Sequence, residues 1–211
     1  MTIRRRYLLI LALATASVLA SPGAASPSTV ARTDIAPATA ADRSIGRADA
    51  PVTVIEYASF ACHHCADWHL FVYPAFKARF IDTGQVRLVF RNLPTAPAEI
   101  SLPGAALARC AEPERFFDVA SALMLGQHAV VRGGDREAWY APAVAVSGRT
   151  RAQLDDCADT EATRDALERD IASAQAADVR NTPTFFVNGR RVADRSLGGL
   201  EVAIRAAAAG Q

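Results

Sequence analysis

Charge is the first thing missing. The chain carries 23 Lys and Arg against 22 Asp and Glu, a formal net charge of +1. Holding nucleic acid through its phosphates takes a basic face, and this balance offers no strong one. Cysteine is scarce, with four among 211 residues, and no internal repeat is visible. One long apolar run occurs, "YLLILALATASVLA" at residues 7–20. It is shorter than the ~20 residues of a spanning helix, and Pro22-Gly23 ends it. Two ligand pairs held apart by a loop, the usual frame of structural zinc, are lacking too. What remains is 51% hydrophobic and 21% charged, a globular composition long enough for one elaborated core or two small domains.

The N-terminus is patterned. "MTIRRR" is basic, residues 7–20 are apolar, and "SPGAAS" offers small residues for cleavage after Ala20 or Ala25. That is the layout of a secretory signal peptide; an uncleaved anchor is the alternative. The adjacent arginines leave both the general and the twin-arginine export routes open. We take residues 1–25 as signal peptide. Residues 26–48, rich in Ala, Ser, Thr and Pro, read as flexible linker, with a short docking strand near Ile35 as the alternative. Export would keep disulfides intact.

Beyond residue 48 the chain divides by pattern. Residues 50–60, "APVTVIEYASF", predict a buried strand. Residues 62–80 place Trp68, Phe71, Val72, Ala75, Phe76 and Phe80 at helical spacing, with Pro74 as a kink. Residues 84–94 predict a second strand, parallel to the first through the intervening helix. Helices are expected at 105–110, 112–125, 135–146 and 161–177. Strands return at 182–194 around an Asn188-Gly189 turn, and a helix closes the chain. The domains are therefore 49–95 with 178–211, and an inserted helical domain at 96–177.

Chemistry concentrates in "FACHHCADWH", residues 60–69. Cys62 and Cys65 form C-x-x-C where the strand turns into the helix. There the first sulfur meets unpaired N–H groups and the positive helix end, which favours thiolate. Cys62 is the expected nucleophile and Cys65 the resolving thiol. His63 and His64 can each stabilise a thiolate; His69 is expected on the solvent face of the helix, and His128 at the surface. A stabilised thiolate makes the couple more oxidising. A metal site is the weighed alternative, but Cys110 and Cys157 lack companions at ligand spacing, so no metal and no cofactor is expected. Glu56, in an otherwise apolar strand, is expected to be buried and to relay a proton to or from Cys65; a glutamate at a water-facing strand edge is the alternative. Thr182-Pro183 opens the later strand, where proline belongs at a start or an edge. A cis bond there would expose the Thr182 backbone to an incoming peptide. With Cys62 and Cys65 paired, Cys110 is left with Cys157, as a structural disulfide or as two free thiols.

Together "VIEYASFACHHC", "TPTFFVNG" and the helical block between them resemble the DsbA-like branch of the thioredoxin superfamily, over about residues 45–208. The resemblance implies an α/β class: a thioredoxin fold, a central mixed β-sheet flanked by helices, with an inserted α-helical domain. It implies a periplasmic thiol–disulfide oxidoreductase in which Cys62 forms the mixed disulfide and Cys65 resolves it. His64 would stabilise the thiolate, Glu56 would be the buried acid, and Thr182 and Pro183 the substrate-binding loop. It also implies reduced, unfolded exported proteins as substrates and a membrane-bound partner for reoxidation. Some members of the family carry a second disulfide, as Cys110–Cys157 would be. The chain departs from the family's best-known motif at His63, where that motif has proline, and it shares Thr182 with isomerase-type members. The rival readings are an isomerase or reductase, and a peptide-binding module whose dithiol is incidental or binds metal. No added dimerisation domain is visible, so a monomer is expected.

Overall fold

The strand that leads to the dithiol is built by two-residue alternation. In β2 (Val52–Ala58) the side chains of Val52, Val54 and Ala58 enter one apolar cluster, while Ile55 and Tyr57 enter another on the opposite face. β2 is therefore buried on both sides, as a central strand must be. The computed structural model describes residues 35–210; the expected signal peptide lies outside them. Among the described residues no helix is long and apolar enough to cross a membrane.

Five strands form one mixed sheet in the order β1-β3-β2-β4-β5. β3 (Val86–Asn92) runs parallel to β2, from Val52 opposite Val86 to Ala58 opposite Asn92. β4 (Thr184–Val187) lies antiparallel on the other side of β2, and β5 (Arg190–Val192) follows it through the Asn188-Gly189 turn. Both turn residues have positive φ, 44° and 80°, the primed hairpin geometry expected of Asn-Gly.

Of the linker read at residues 26–48, the structure describes 35–48, and there β1 (Arg43–Ile45) corrects it. It pairs antiparallel with β3 at the sheet edge. Three residues without alternation give no strand signal, and its support is remote. Arg91 of β3 is buried, binds the Asp42 carboxylate at 2.9 and 3.1 Å, and donates to the Ala36 and Pro37 carbonyls. The alternative, a strand near Ile35, is not seen among the described residues; Ile35 packs without strand pairing against the second cluster.

The β2–β3 crossover is helical but broken where Pro74 predicts. α1 (His63–Phe71) ends at Val72, α2 (Tyr73–Phe76) starts with Pro74 in its first turn, and one π-helical turn (Lys77–Ile81) finishes the connection. The inserted block is α3 (Ala98–Cys110), a short 3-10 turn (Pro113–Arg115), α4 (Phe116–Val131), α5 (Arg136–Val146), α6 (Arg151–Ala158) and α7 (Glu161–Ala176). α3 starts seven residues before the predicted helix, because it accommodates Pro103. α4 runs later than predicted, Pro113 having opened the 3-10 turn instead. α6 escaped the sequence reading because Leu154 is its one buried side chain. It is held by a capping box at Thr150 and Gln153. α8 (Leu197–Ala209) closes the chain, capped by Ser196. α1 and α8 pack on one face of the sheet, and the end of α7 covers the other through Ala174.

Candidate active site

Cys62 is the N-cap of α1, extended at φ −87°, and its carbonyl accepts from Cys65 and Ala66 N–H at 3.1 Å. The turn leading to it is tied down from three directions. Ser59 Oγ accepts from the Ala61 and Thr95 N–H groups, and the Ser59 carbonyl accepts from Cys62 N–H. Gln127 of α4 reaches across from the helical block and donates to the Ala61 carbonyl at 2.7 Å. Trp68 Nε1 donates to the Arg195 carbonyl, fixing α1 against the segment before α8.

Both thiols are free, and they differ. Cys65 is buried and Cys62 half-buried. The Cys62 thiol is lowered from its ordinary 9.0 to about 5. The hydrogen bond from Cys65 does most, joined by the Thr182 side chain and the backbone N–H groups of Cys65 and His64, against an opposing effect of burial. Cys65 moves the other way. Burial, its bond to Cys62 and the Cys62 and Glu56 charges push it well above 9.0.

The Thr182–Pro183 bond is cis. The Thr182 carbonyl lies 3.4 Å from Cys62 Sγ, which donates to it as the thiol. The dithiol turn and the proline loop, 120 residues apart in sequence, are thus in direct contact. A cavity of about 420 Å³ opens beside the proline loop, lined by His64, Asn181, Thr182, Pro183, Arg191 and Arg195 among others. A larger one of about 700 Å³ lies within the helical block and touches none of these groups.

The histidines are sorted differently from the expectation. His63 and His64 are exposed, and their rings lie 3.9 Å apart. At Cys62 it is the His64 backbone N–H that contributes. His69, expected at the solvent face, is buried and binds Glu56, with Nε2 3.2 Å from Oε1. The available signal was spacing: His69 stands four residues, one helical turn, after the buried Cys65 and shares its inward face. His128 is half-buried and pairs with Asp67, joining α4 to α1. Glu56 is fully enclosed, so the water-facing alternative does not hold. Its hydrogen bond goes to His69 rather than to Cys65. Gln127 had no signal in the sequence, since it acts on backbone brought close by the fold, and the same holds for the bond of Ser59 to Thr95, though not for its local bond to Ala61. Among the described residues no group of three or more His, Cys, Asp and Glu side chains could hold a metal ion.

Away from this site Cys110 and Cys157 form a disulfide, S–S 2.04 Å, between α3 and α6. Thr163 Oγ1 lies within 3.6 Å of both sulfurs.

Known proteins resemble the chain in the same region. A putative protein-disulfide oxidoreductase of Rickettsia bellii is 26% identical over 165 residues, which is 77% of this chain and 63% of that protein. A Na(+)/H(+) antiporter NhaA of Nitrosospira multiformis is 35% identical over 151 residues, 71% of this chain. The matched stretch is 23% of the antiporter, so the chain spans under a quarter of one relative and about three fifths of the other. Among solved structures, oxidised BdbD from Bacillus subtilis superposes with a TM-score of 0.70 at 21% identity, covering 81% of this chain and 94% of that one. That likeness bears out the expected fold, the mixed sheet with its helical insertion. The family model for thioredoxin matches residues 38–206. Since that match takes in both the dithiol turn and the proline loop that meets it, the chain belongs to the thioredoxin family.

Proposed function

We propose that the protein is a periplasmic thiol–disulfide oxidoreductase that introduces disulfides into reduced, unfolded exported proteins. The observation that carries this is the unequal ionisation of the two thiols, Cys62 lowered to about 5 and Cys65 held up by burial. A substrate thiolate attacks Cys62 Sγ of the Cys62–Cys65 disulfide. That bond breaks, Cys65 leaves as a thiolate and takes a proton, and substrate is held through a mixed disulfide at Cys62. A second substrate thiolate then attacks the substrate sulfur. Cys62 leaves as its stabilised thiolate, and the two electrons rest on the dithiol. A good leaving group at Cys62 drives this direction, because stabilising the reduced form raises the potential.

The Thr182 backbone beside Cys62 and the adjoining cavity supply the surface for an extended peptide. Thr182 and Pro183 are thus substrate-binding residues in this reading, His64 flanks the bound peptide, and Glu56 serves the proton transfer at Cys65. The basic, apolar and small-residue order of residues 1–25 supports export. A dithiol left reduced after each turnover requires an oxidant, for which a membrane-bound redox partner is the proposal. The test is the oxidation of a reduced, unfolded protein of known disulfide content. Wild-type protein forms native-count disulfides stoichiometrically, and Cys62→Ser forms none. Equal yields from the two would contradict the proposal.

A further inference from the structure

Glu56 occupies an aromatic box. It lies in β2 between Phe90 of β3 and Phe185 of β4, and the Phe90 and Tyr73 rings lie 6.0 and 5.1 Å from the His69 ring above it. The side chains of Glu56 and His69 are 0% and 1% exposed. Oε1 and Nε2 meet at 3.2 Å, while Oε2 and Nδ1 make no hydrogen bond among the described residues. A lone carboxylate is costly in such surroundings. Bound to an imidazole it changes character. With one proton fewer, the neutral ring donates to a carboxylate; with one more, an imidazolium faces the carboxylate. The same Nε2–Oε1 hydrogen bond persists in both states, so the pair can take up or release a proton without breaking. Its second oxygen stays available.

We infer that Glu56 and His69 act as one proton-exchanging unit for Cys65, with His69 the positioning residue that holds the carboxylate and shares its proton. This rests on the reading of Cys62 and Cys65 as an exchanging dithiol. The need for such a unit is clear from Cys65 itself, a buried thiol pushed up by its surroundings, the Glu56 charge included. The titratable groups facing Glu56 are Cys65 and His69 of α1 and Tyr73 of α2. The Tyr73 phenol is itself pushed up, by burial first and then by Glu56, Asp118 and Asp82, so it stays protonated. The flanking strands contribute only Phe90 and Phe185. When the disulfide closes, the Cys65 S–H gives its proton to the pair. The thiolate attacks Cys62 Sγ, the bond from Cys62 to the outgoing sulfur breaks, and that sulfur leaves as a thiolate. When the disulfide opens, Cys65 leaves as a thiolate and takes the proton back.

The experiment mixes reduced protein with glutathione disulfide and follows acid-quenched samples by mass, which works whichever direction the protein runs physiologically. Step one forms the Cys62–glutathione mixed disulfide; step two releases the second glutathione as Cys65 attacks. His69→Gln keeps a hydrogen-bond donor to Glu56 but cannot exchange its proton. At pH 7 it is expected to slow step two at least about tenfold, with step one within about twofold of wild type. Glu56→Gln is expected to do the same, and the double variant to be no slower than the slower single. A step two in His69→Gln within about twofold of wild type would overturn the inference, and so would losses that multiply in the double variant. Should His69→Gln not fold, ¹⁵N shifts of the His69 ring in Cys62→Ala protein carry the test. They must move as Cys65 ionises, and a ring that does not respond contradicts the inference. A wild type that forms no mixed disulfide fails at step one, which removes the dithiol reading together with this one.

Discussion

Two cysteine pairs share this chain, and their surroundings make them different objects. Cys62 and Cys65 stand three residues apart at the start of one helix, with the more exposed sulfur against a proline loop that borders a cavity. Cys110 and Cys157 join two helices across 47 residues, with Cys110 buried and Thr163 against both sulfurs. The first pair has a stabilised thiolate on one side and a protonated, buried thiol on the other. The second has no sulfur at a helix N-terminus, Cys110 ending α3 and Cys157 standing in the last turn of α6. What separates a switch from a staple is therefore the environment of each sulfur, since the bond chemistry is the same.

The comparison is broken most directly by removing one sulfur from each pair. Cys62→Ser is expected to reduce thiol–disulfide exchange to background while leaving urea unfolding of the reduced protein nearly unchanged at or below pH 5, where the Cys62 thiolate contributes little. Cys110→Ser is expected to do the converse. Exchange stays within about twofold, while urea unfolding reports a loss of up to about 4 kcal/mol, the chain-entropy value for a loop of this size. A variant that moved both readouts equally would remove the distinction.

A smaller effect sharpens the switch side. Alkylation of Cys62 with iodoacetamide should follow an ionisation near pH 5. Because this folded-state value lies below the ordinary 9.0, reduced protein gains stability over its unfolded state as pH rises from about 5 toward 9, and loses it as pH falls through 5. Above 9 the raised Cys65 works in the opposite sense, since the unfolded thiol ionises there first. Chemical unfolding of reduced and oxidised protein across that range should diverge accordingly; parallel curves would contradict the assignment. The smallest effect expected is that of Gln127→Ala, which frees the Ala61 carbonyl before the dithiol. A loss of about 1 kcal/mol in stability, with a measurable rise in the Cys62 alkylation midpoint, would show that the helical block helps set the site.

Much of this was legible in the chain. The alternation of residues 52–58, the Pro74 break and the Asn188-Gly189 turn are local signals with local causes, and each appears where expected. Glu56 was legible because a carboxylate in an apolar strand contradicts its own pattern. Its partner was misread because His69 was taken alone, on a helix whose inward face had to be inferred. β1 and α6 were missed for opposite reasons. β1 is too short to alternate and depends on Arg91 and Asp42, while α6 is too polar to show a stripe and depends on its caps. Gln127 acts through a contact spanning 66 residues, which no local pattern encodes.

The central claim of the proposal is direction: the Cys62–Cys65 disulfide passes oxidising equivalents to substrate and is left as the dithiol. Equilibrating the protein with glutathione buffers and reading the fraction of dithiol measures this as a potential. The expected value lies well on the oxidising side, above about −180 mV, with Cys110–Cys157 remaining oxidised throughout. A value below about −250 mV, in the range of reductants, would contradict it.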